Sequence, residues 1–119
     1  MAMLKAFMVG AAGYPALEMI ARGRTHWTMA LAGGASTALI SRVHGLPIRR
    51  SAQALLCGTG ITAVEYAVGR VWNREHQVWD YRRVPLNREG QICLPYSLLW
   101  CAMSAGALRV LDIKTRPDS

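Results

Sequence analysis

Residues 90–108, GQICLPYSLLWCAMSAGAL, run for 19 positions without a lysine, arginine, aspartate or glutamate. That length lies within the ~17–25 residues of a helix that crosses a bilayer. Working outward, the charged residues delimit three more such windows, 6–21, 25–41 and 51–69, of 16, 17 and 19 residues. The four windows hold 71 residues and two charges, Glu18 and Glu65, while the other 48 residues hold 19 charges. A soluble four-helix bundle carries a charged stripe on each helix, recurring every three or four positions, and these windows have none. The chain is 119 residues long and 52% hydrophobic, with a mean hydropathy of +0.16, which excludes a disordered tail. The expected architecture is all-α: a polytopic membrane protein with four transmembrane helices. They cover about 3–21, 25–41, 51–72 and 90–111, in one integral-membrane domain over 1–119, with a long polar loop between the third and fourth.

The net charge of +7 does not point to nucleic acid, because the basic residues are scattered among loops and termini. Arg49-Arg50 and Arg82-Arg83 follow apolar spans, where basic side chains meet phosphate headgroups. Seven basic residues fall with loops one and three (Arg22, Arg24, Arg70, Arg74, Arg82, Arg83, Arg88). Seven more fall on the other side (Lys5, Arg42, Arg49, Arg50, Arg109, Lys114, Arg116), so the positive-inside rule leaves the orientation open. Cys57, Cys93 and Cys101 form no CxxC pair and read as small packing residues rather than a disulfide or zinc site. Lys5 and the apolar run behind it resemble the start of a signal peptide. Pro15, Glu18 and the lack of a comfortable small-x-small cleavage site before a soluble mature domain favour a first helix instead.

Gly23 marks the stop of that helix and Pro15 a kink within it. Ala6/Gly10, Gly34/Ala38 and Ala102/Gly106 have the small-xxx-small spacing that lets helices approach closely in lipid. No GxxxxGK[ST] or GxGxxG motif occurs, and His26, His44 and His76 lack metal-ligand spacing, so neither a cofactor nor a metal is expected. No catalytic triad pattern stands out either.

If the helices alternate in direction, the ends of the first and third lie on one side. Glu18, four residues before Arg22, and Glu65, five before Arg70, then sit level, about 6–8 Å inside that rim. Most of the versatile polar groups gather there: Arg22, His26 and Trp27 in the first loop, Trp79, Asp80, Tyr81 and Asn87 in the third, and Gln91 at the start of the fourth helix. An ionisable group within a span is costly and therefore a functional candidate. Two readings stand. Glu18 has the favourable i,i+4 order for a pair with Arg22, and Glu65 has Arg70, Arg24 or His26 within reach, which would make both structural. Alternatively, two carboxylates at one depth share a proton and serve transport or acid–base chemistry. Trp27, Trp72 and Trp79 read as an interfacial aromatic belt.

The runs Leu17-Glu18, Arg22-Gly23, His26-Trp27-Thr28-Met29 and Gly33-Gly34, then Glu65 with Gly69, carry a family resemblance. It is strongest in Val78-Trp79-Asp80-Tyr81, Pro85-Leu86-Asn87 and Gly90-Gln91-Ile92-Cys93-Leu94-Pro95-Tyr96-Ser97-Leu98-Leu99-Trp100. Over about residues 7–111 the chain resembles the small bacterial membrane proteins of the ABC-transporter type IV (CmpB-like permease) family. The resemblance implies a four-helix integral membrane protein acting as a transporter component. Its matched polar positions are Glu18, Arg22, His26, Trp27, Glu65, Trp79, Asp80, Tyr81, Asn87 and Gln91. Arg88-Glu89 departs from the family pattern, which is apolar there.

The expected function is therefore a transporter or channel-like component of the bacterial cytoplasmic membrane, with a polar intramembrane site formed by two carboxylates. Its partners would be the lipid bilayer, further copies of itself, and an ATPase or other membrane subunit, since the sequence has no P-loop of its own. The alternatives are a membrane-embedded enzyme acting on a lipid headgroup through Glu18, His26 and Asp80, or a non-catalytic partner subunit.

Overall fold

Each charge-poor window seeds a helix in the computed structural model, which describes residues 2–23 and 26–115. Helix α1 (Ala2–Arg22) runs through Pro15 and ends at Gly23, whose φ of 73° suits a residue without a Cβ. Helix α2 (Trp27–His44) is opened by His26, whose extended backbone lets Nδ1 accept the Thr28 amide at 3.3 Å. Helix α3 (Arg50–Trp72) follows the turn at Pro47, and helix α4 (Leu94–Thr115) closes the described chain. The connection between α3 and α4 contains a two-residue ladder, β1 (Asn87–Arg88) against β2 (Ile92–Cys93), antiparallel with Asn87 opposite Cys93. Glu89 and Gly90, at φ 56° and 68°, supply the two left-handed residues of a tight hairpin turn, closed by the Gln91 amide on Arg88 O at 3.0 Å. Residues 90–93 are thereby used in turn and ladder, so α4 starts at Leu94 rather than near 90.

Helices α1 and α2 approach most closely. A Cβ at Gly33 would lie 2.5 Å from Gly10 O and 2.6 Å from Tyr14 Cβ. Thr37 Oγ1 bridges the same pair, 2.6 Å from Ala6 O and 2.9 Å from Gly33 O. Helix α2 packs in turn on α3, and α3 on α4, where the Cys101 backbone sits 2.9 Å from the Cβ position of Gly58. Two apolar clusters hold the ends. Ile40, Val43, Ala54, Cys57 and Leu108 form one, and Met29, Val68 and Trp79 the other. Beside the first, Gln53 donates to Val43 O and Leu46 O, both at 3.0 Å, fixing the α2–α3 turn, and Asp112 accepts from His44 at 2.9 Å and from Arg50 Nε at 2.8 Å. Helices α1 and α4 are not packed along their lengths, and a groove remains between them.

The all-helical class with four helices holds, but the four-span bundle does not. Among the described residues only Leu94–Lys114, with a mean hydropathy of 1.3, is long and apolar enough to cross a membrane. The reason lies in what the windows contain. Lack of charge is not the same as hydrocarbon: α2 and α3 are built largely from Gly, Ala, Ser and Thr, with Gln53 and Glu65 in α3, and α1 carries Lys5, Glu18 and Arg22. Small and hydroxyl side chains remove little apolar area from water, so a charge-free run of them falls short of a span. Helix α4 does not pass as a buried core helix, since only 11% of its apolar window is covered within the chain.

Candidate functional site

The groove between α1 and α4 has a volume of about 290 Å³ and is floored by α2 and α3. Helical spacing selects its walls. Gly10, Tyr14 and Glu18 recur every four residues on α1, Ile61 and Glu65 on α3, and Trp100 and Ser104 on α4, so each set shares one helix face. From the α3–α4 connection Trp79 and Tyr81 reach in at the same end as Glu65.

Both carboxylates line this groove, in different states of compensation. Glu18, 7% exposed, accepts from Arg22 Nη1 at 2.9 Å, and Arg22 also reaches Val78 O at 3.3 Å, tying α1 to the connection. Glu65 accepts from the Tyr81 hydroxyl at 2.9 Å and from the Trp100 indole at 3.4 Å, and no cation among the described residues pairs with it. Arg70 instead lies 3.3 Å from the Tyr66 hydroxyl and 4.0 Å from Glu89, and His26 caps α2. Arg24 lies outside the described residues. Burial pushes the Glu65 carboxyl up to about 7 against the opposing pull of its two hydrogen bonds. Burial and then the charges of Glu18 and Glu65 push the Tyr14 hydroxyl up to about 12, and burial with Glu65 raises Tyr81 as well.

An aromatic wall surrounds Glu65. Tyr81 stacks on Tyr96 at 4.8 Å between ring centres, Tyr96 stands 6.3 Å from Trp100, and Trp100 meets Tyr14 edge-on at 6.4 Å. One turn beyond Trp100, Ser104 is fully buried in the groove wall, and its hydroxyl has no hydrogen-bond partner.

Of the ten expected site residues, Glu18, Arg22, Glu65, Trp79 and Tyr81 line the groove, and the other five serve elsewhere. His26 is the α2 cap, and Trp27 is exposed against Trp72 at 5.0 Å. Asp80 is taken up by Arg82, whose amide and guanidinium bind it at 2.7–3.0 Å and hold its carboxyl well below the usual range. Asn87 braces the hairpin, donating to Val84 O and accepting from Gly90 N, both at 3.0 Å. Gln91 is buried, exchanging hydrogen bonds with Asn73 at 2.9 and 2.8 Å. The expected site left out Tyr14, Trp100 and Ser104: Trp100 ends the strongest resembling run, and the others had only spacing as a signal, Tyr14 one turn before Glu18 and Ser104 one turn after Trp100.

The Asn73–Gln91 pair explains how a polar connection stays folded. Asn73 also donates to Trp79 O at 2.7 Å and accepts from Val78 N at 2.8 Å, while the Trp79 indole donates to Gln91 O at 2.8 Å. These bonds aim Trp79 and Tyr81 inward. Among the described residues no group of three His, Cys, Asp or Glu side chains comes together to hold a metal ion.

No curated protein and no solved structure matches the chain. A family model does match, over residues 13–116, which takes in both carboxylates, the whole connection and α4. With most of the groove lining and its loop inside that match, the chain belongs to the family described as "Putative ABC-transporter type IV".

Proposed function

We propose that this chain is a solute-binding component of a transporter, with the groove between α1 and α4 as its binding site. The observation that carries the reading is the asymmetry of the two carboxylates lining one groove: Glu18 is neutralised by Arg22, whereas Glu65 has only hydrogen-bond donors. A half-buried carboxylate without a counter-charge is unfavourable in a purely structural role and useful in a binding one. Family membership supports a transport role, and α4 supports association with a membrane, for which we propose the bacterial cytoplasmic membrane. The sequence has no nucleotide-binding loop, so energy from ATP would come from a partner ATPase or another membrane subunit. Ala102 and Gly106 lie exposed on α4, and Gly106 meets nothing within 4 Å, which supports a contact with a second copy or a partner helix.

Reconstitution tests the reading. Proteoliposomes holding the chain, with any subunit that copurifies, should carry solute-dependent flux across a panel of organic cations, anions and neutral solutes. Glu65→Gln should abolish it and Glu18→Gln should reduce it; unchanged flux in both removes the carboxylates from the function. The lipid-headgroup enzyme has no comparable support, because neither His26 nor Asp80 lines the groove and each is held by a local partner.

A further inference from the structure

We infer that the groove takes an amphiphilic organic cation, an amine or quaternary ammonium centre on an apolar body, with the charge held at Glu65 and the body lying toward Ser104. This rests on the groove being a solute site and adds the chemical class of the solute.

Charge comes first. The Glu18–Arg22 pair cancels internally at 2.9 Å, so the ionised groove keeps one uncompensated negative charge, at Glu65. Both Glu65 oxygens already accept hydrogen bonds, from Tyr81 and Trp100, so the carboxylate lacks a counter-charge rather than a donor. Tyr14, Trp79, Tyr81 and Trp100 line the same end, and aromatic faces attract cations most strongly where water is excluded. An ammonium centre satisfies all three conditions and needs no N–H to do so.

The remaining wall selects the body. It is mostly carbon, from Gly13, Gly33, Ile61, Val64 and Met103, and it includes the buried, unpartnered hydroxyl of Ser104. Hard metal cations need about six to eight oxygen ligands, which this wall does not offer. An anion would meet Glu65. A zwitterionic phospholipid would bring a phosphate whose natural partner, Arg22, is already bound by Glu18 and Val78 O. The groove opens sideways between α1 and α4, past exposed Val9 and Leu17, and its 290 Å³ sits near the lower end of small-molecule sites, ~300–1,000 Å³. Because burial holds the Glu65 proton up to about 7, a cation that binds the carboxylate must displace it, and affinity rises with pH through that value.

The test uses the full chain in detergent and three probes of similar shape: benzyltrimethylammonium, its uncharged carbon isostere neopentylbenzene, and phenylmethanesulfonate, with binding read by calorimetry. The cation should bind at least about tenfold tighter than the isostere, with proton release that fades between about pH 6 and pH 8. Glu65→Gln should weaken the cation about tenfold and remove its pH dependence. Trp100→Phe, which keeps an aromatic ring in the wall, should weaken it less and keep a pH dependence, with the midpoint moved upward by loss of the indole donor. Melting curves of each variant report folding separately. Equal binding of cation and isostere, or cation binding untouched by Glu65→Gln, overturns the inference. If flux in proteoliposomes still depends on Glu65 while the three probes are not discriminated, the cation class is wrong and the solute site stands. If flux does not depend on Glu65, the solute site itself is wrong.

Discussion

The Tyr81 hydroxyl donates to Glu65 Oε2 at 2.9 Å, fastening the connection between α3 and α4 to the interior face of α3. Because Tyr81 also stacks on Tyr96 of α4, this one side chain couples a loop, two helices and a half-buried carboxylate. The Glu65 charge is thereby sensitive to how the connection is folded.

Removing that donor should be visible at the carboxylate. In Tyr81→Phe the hydrogen bond that favours ionised Glu65 is gone, so the Glu65 titration moves above about 7. Stability at alkaline pH should fall by about 1–2 kcal/mol. The carboxyl infrared band followed against pH measures the shift, and an unmoved midpoint would mean that Tyr81 does not set the Glu65 charge.

Stability should depend on pH through Glu65 with a definite sign. Its carboxyl rises from 4.5 to about 7 on folding, so the folded chain holds the proton more tightly than the unfolded one. That contribution is fully present below the unfolded value and is lost as pH rises through about 7. Relative to Glu65→Gln, which carries no charge at any pH, the natural chain should lose melting temperature steadily across this window. Parallel curves for the two proteins would contradict the assignment.

Close helix approach makes Gly33 intolerant of any side chain. In Gly33→Ala the new Cβ meets Gly10 O at 2.5 Å and Tyr14 Cβ at 2.6 Å, backbone and near-backbone atoms that cannot swing away. We expect a loss of about 3 kcal/mol, in the upper range for overpacking. Gly106→Ala, with nothing within 4 Å, should be neutral or stabilise by about 0.5–1 kcal/mol through helix propensity. Chemical denaturation of the pair separates a packing effect from a general intolerance of change.

The connection should unlatch when Asn73 is truncated. Asn73→Ala removes four hydrogen bonds, to Trp79 O, Gln91 Oε1, Val78 N and Trp79 N, three of them buried, and leaves the Gln91 amide half satisfied. The cost should be about 3 kcal/mol. Limited proteolysis should then cut within residues 74–90 far faster than in the natural chain. A protected loop would show that the two-residue ladder alone suffices to hold it.

Helix α4 can be probed at its exposed centre. Ala105 has no role in the core, so Ala105→Arg should leave the melting temperature nearly unchanged. In a span the same change costs about 2.5–3.5 kcal/mol of insertion, and retention in carbonate-washed membranes should drop severalfold. Full retention would place the centre of α4 outside the bilayer.

The four helices were legible because their causes are local. Charge-poor windows and Gly23 at a stop act within about four residues of where they stand. The two acids were legible as well, since any ionisable group in such a window stands out. The hydropathy shortfall of α1, α2 and α3 was equally present in the sequence, but counting charges in place of apolar area concealed it.

What the tertiary structure alone decided is which polar group meets which. Gly10 against Gly33 sets the rotation of α1 on α2, and Gly58 against Cys101 sets that of α3 on α4. Those two backbone approaches turn Glu18, Glu65, Tyr14, Trp100 and Ser104 toward one groove. They also leave Arg70 to Tyr66 and Glu89, so Glu65 keeps its charge uncompensated. Local sequence settles whether a segment coils. The phase of one helix against another depends on steric fit between residues distant in the chain, and that fit exists only once the helices have met.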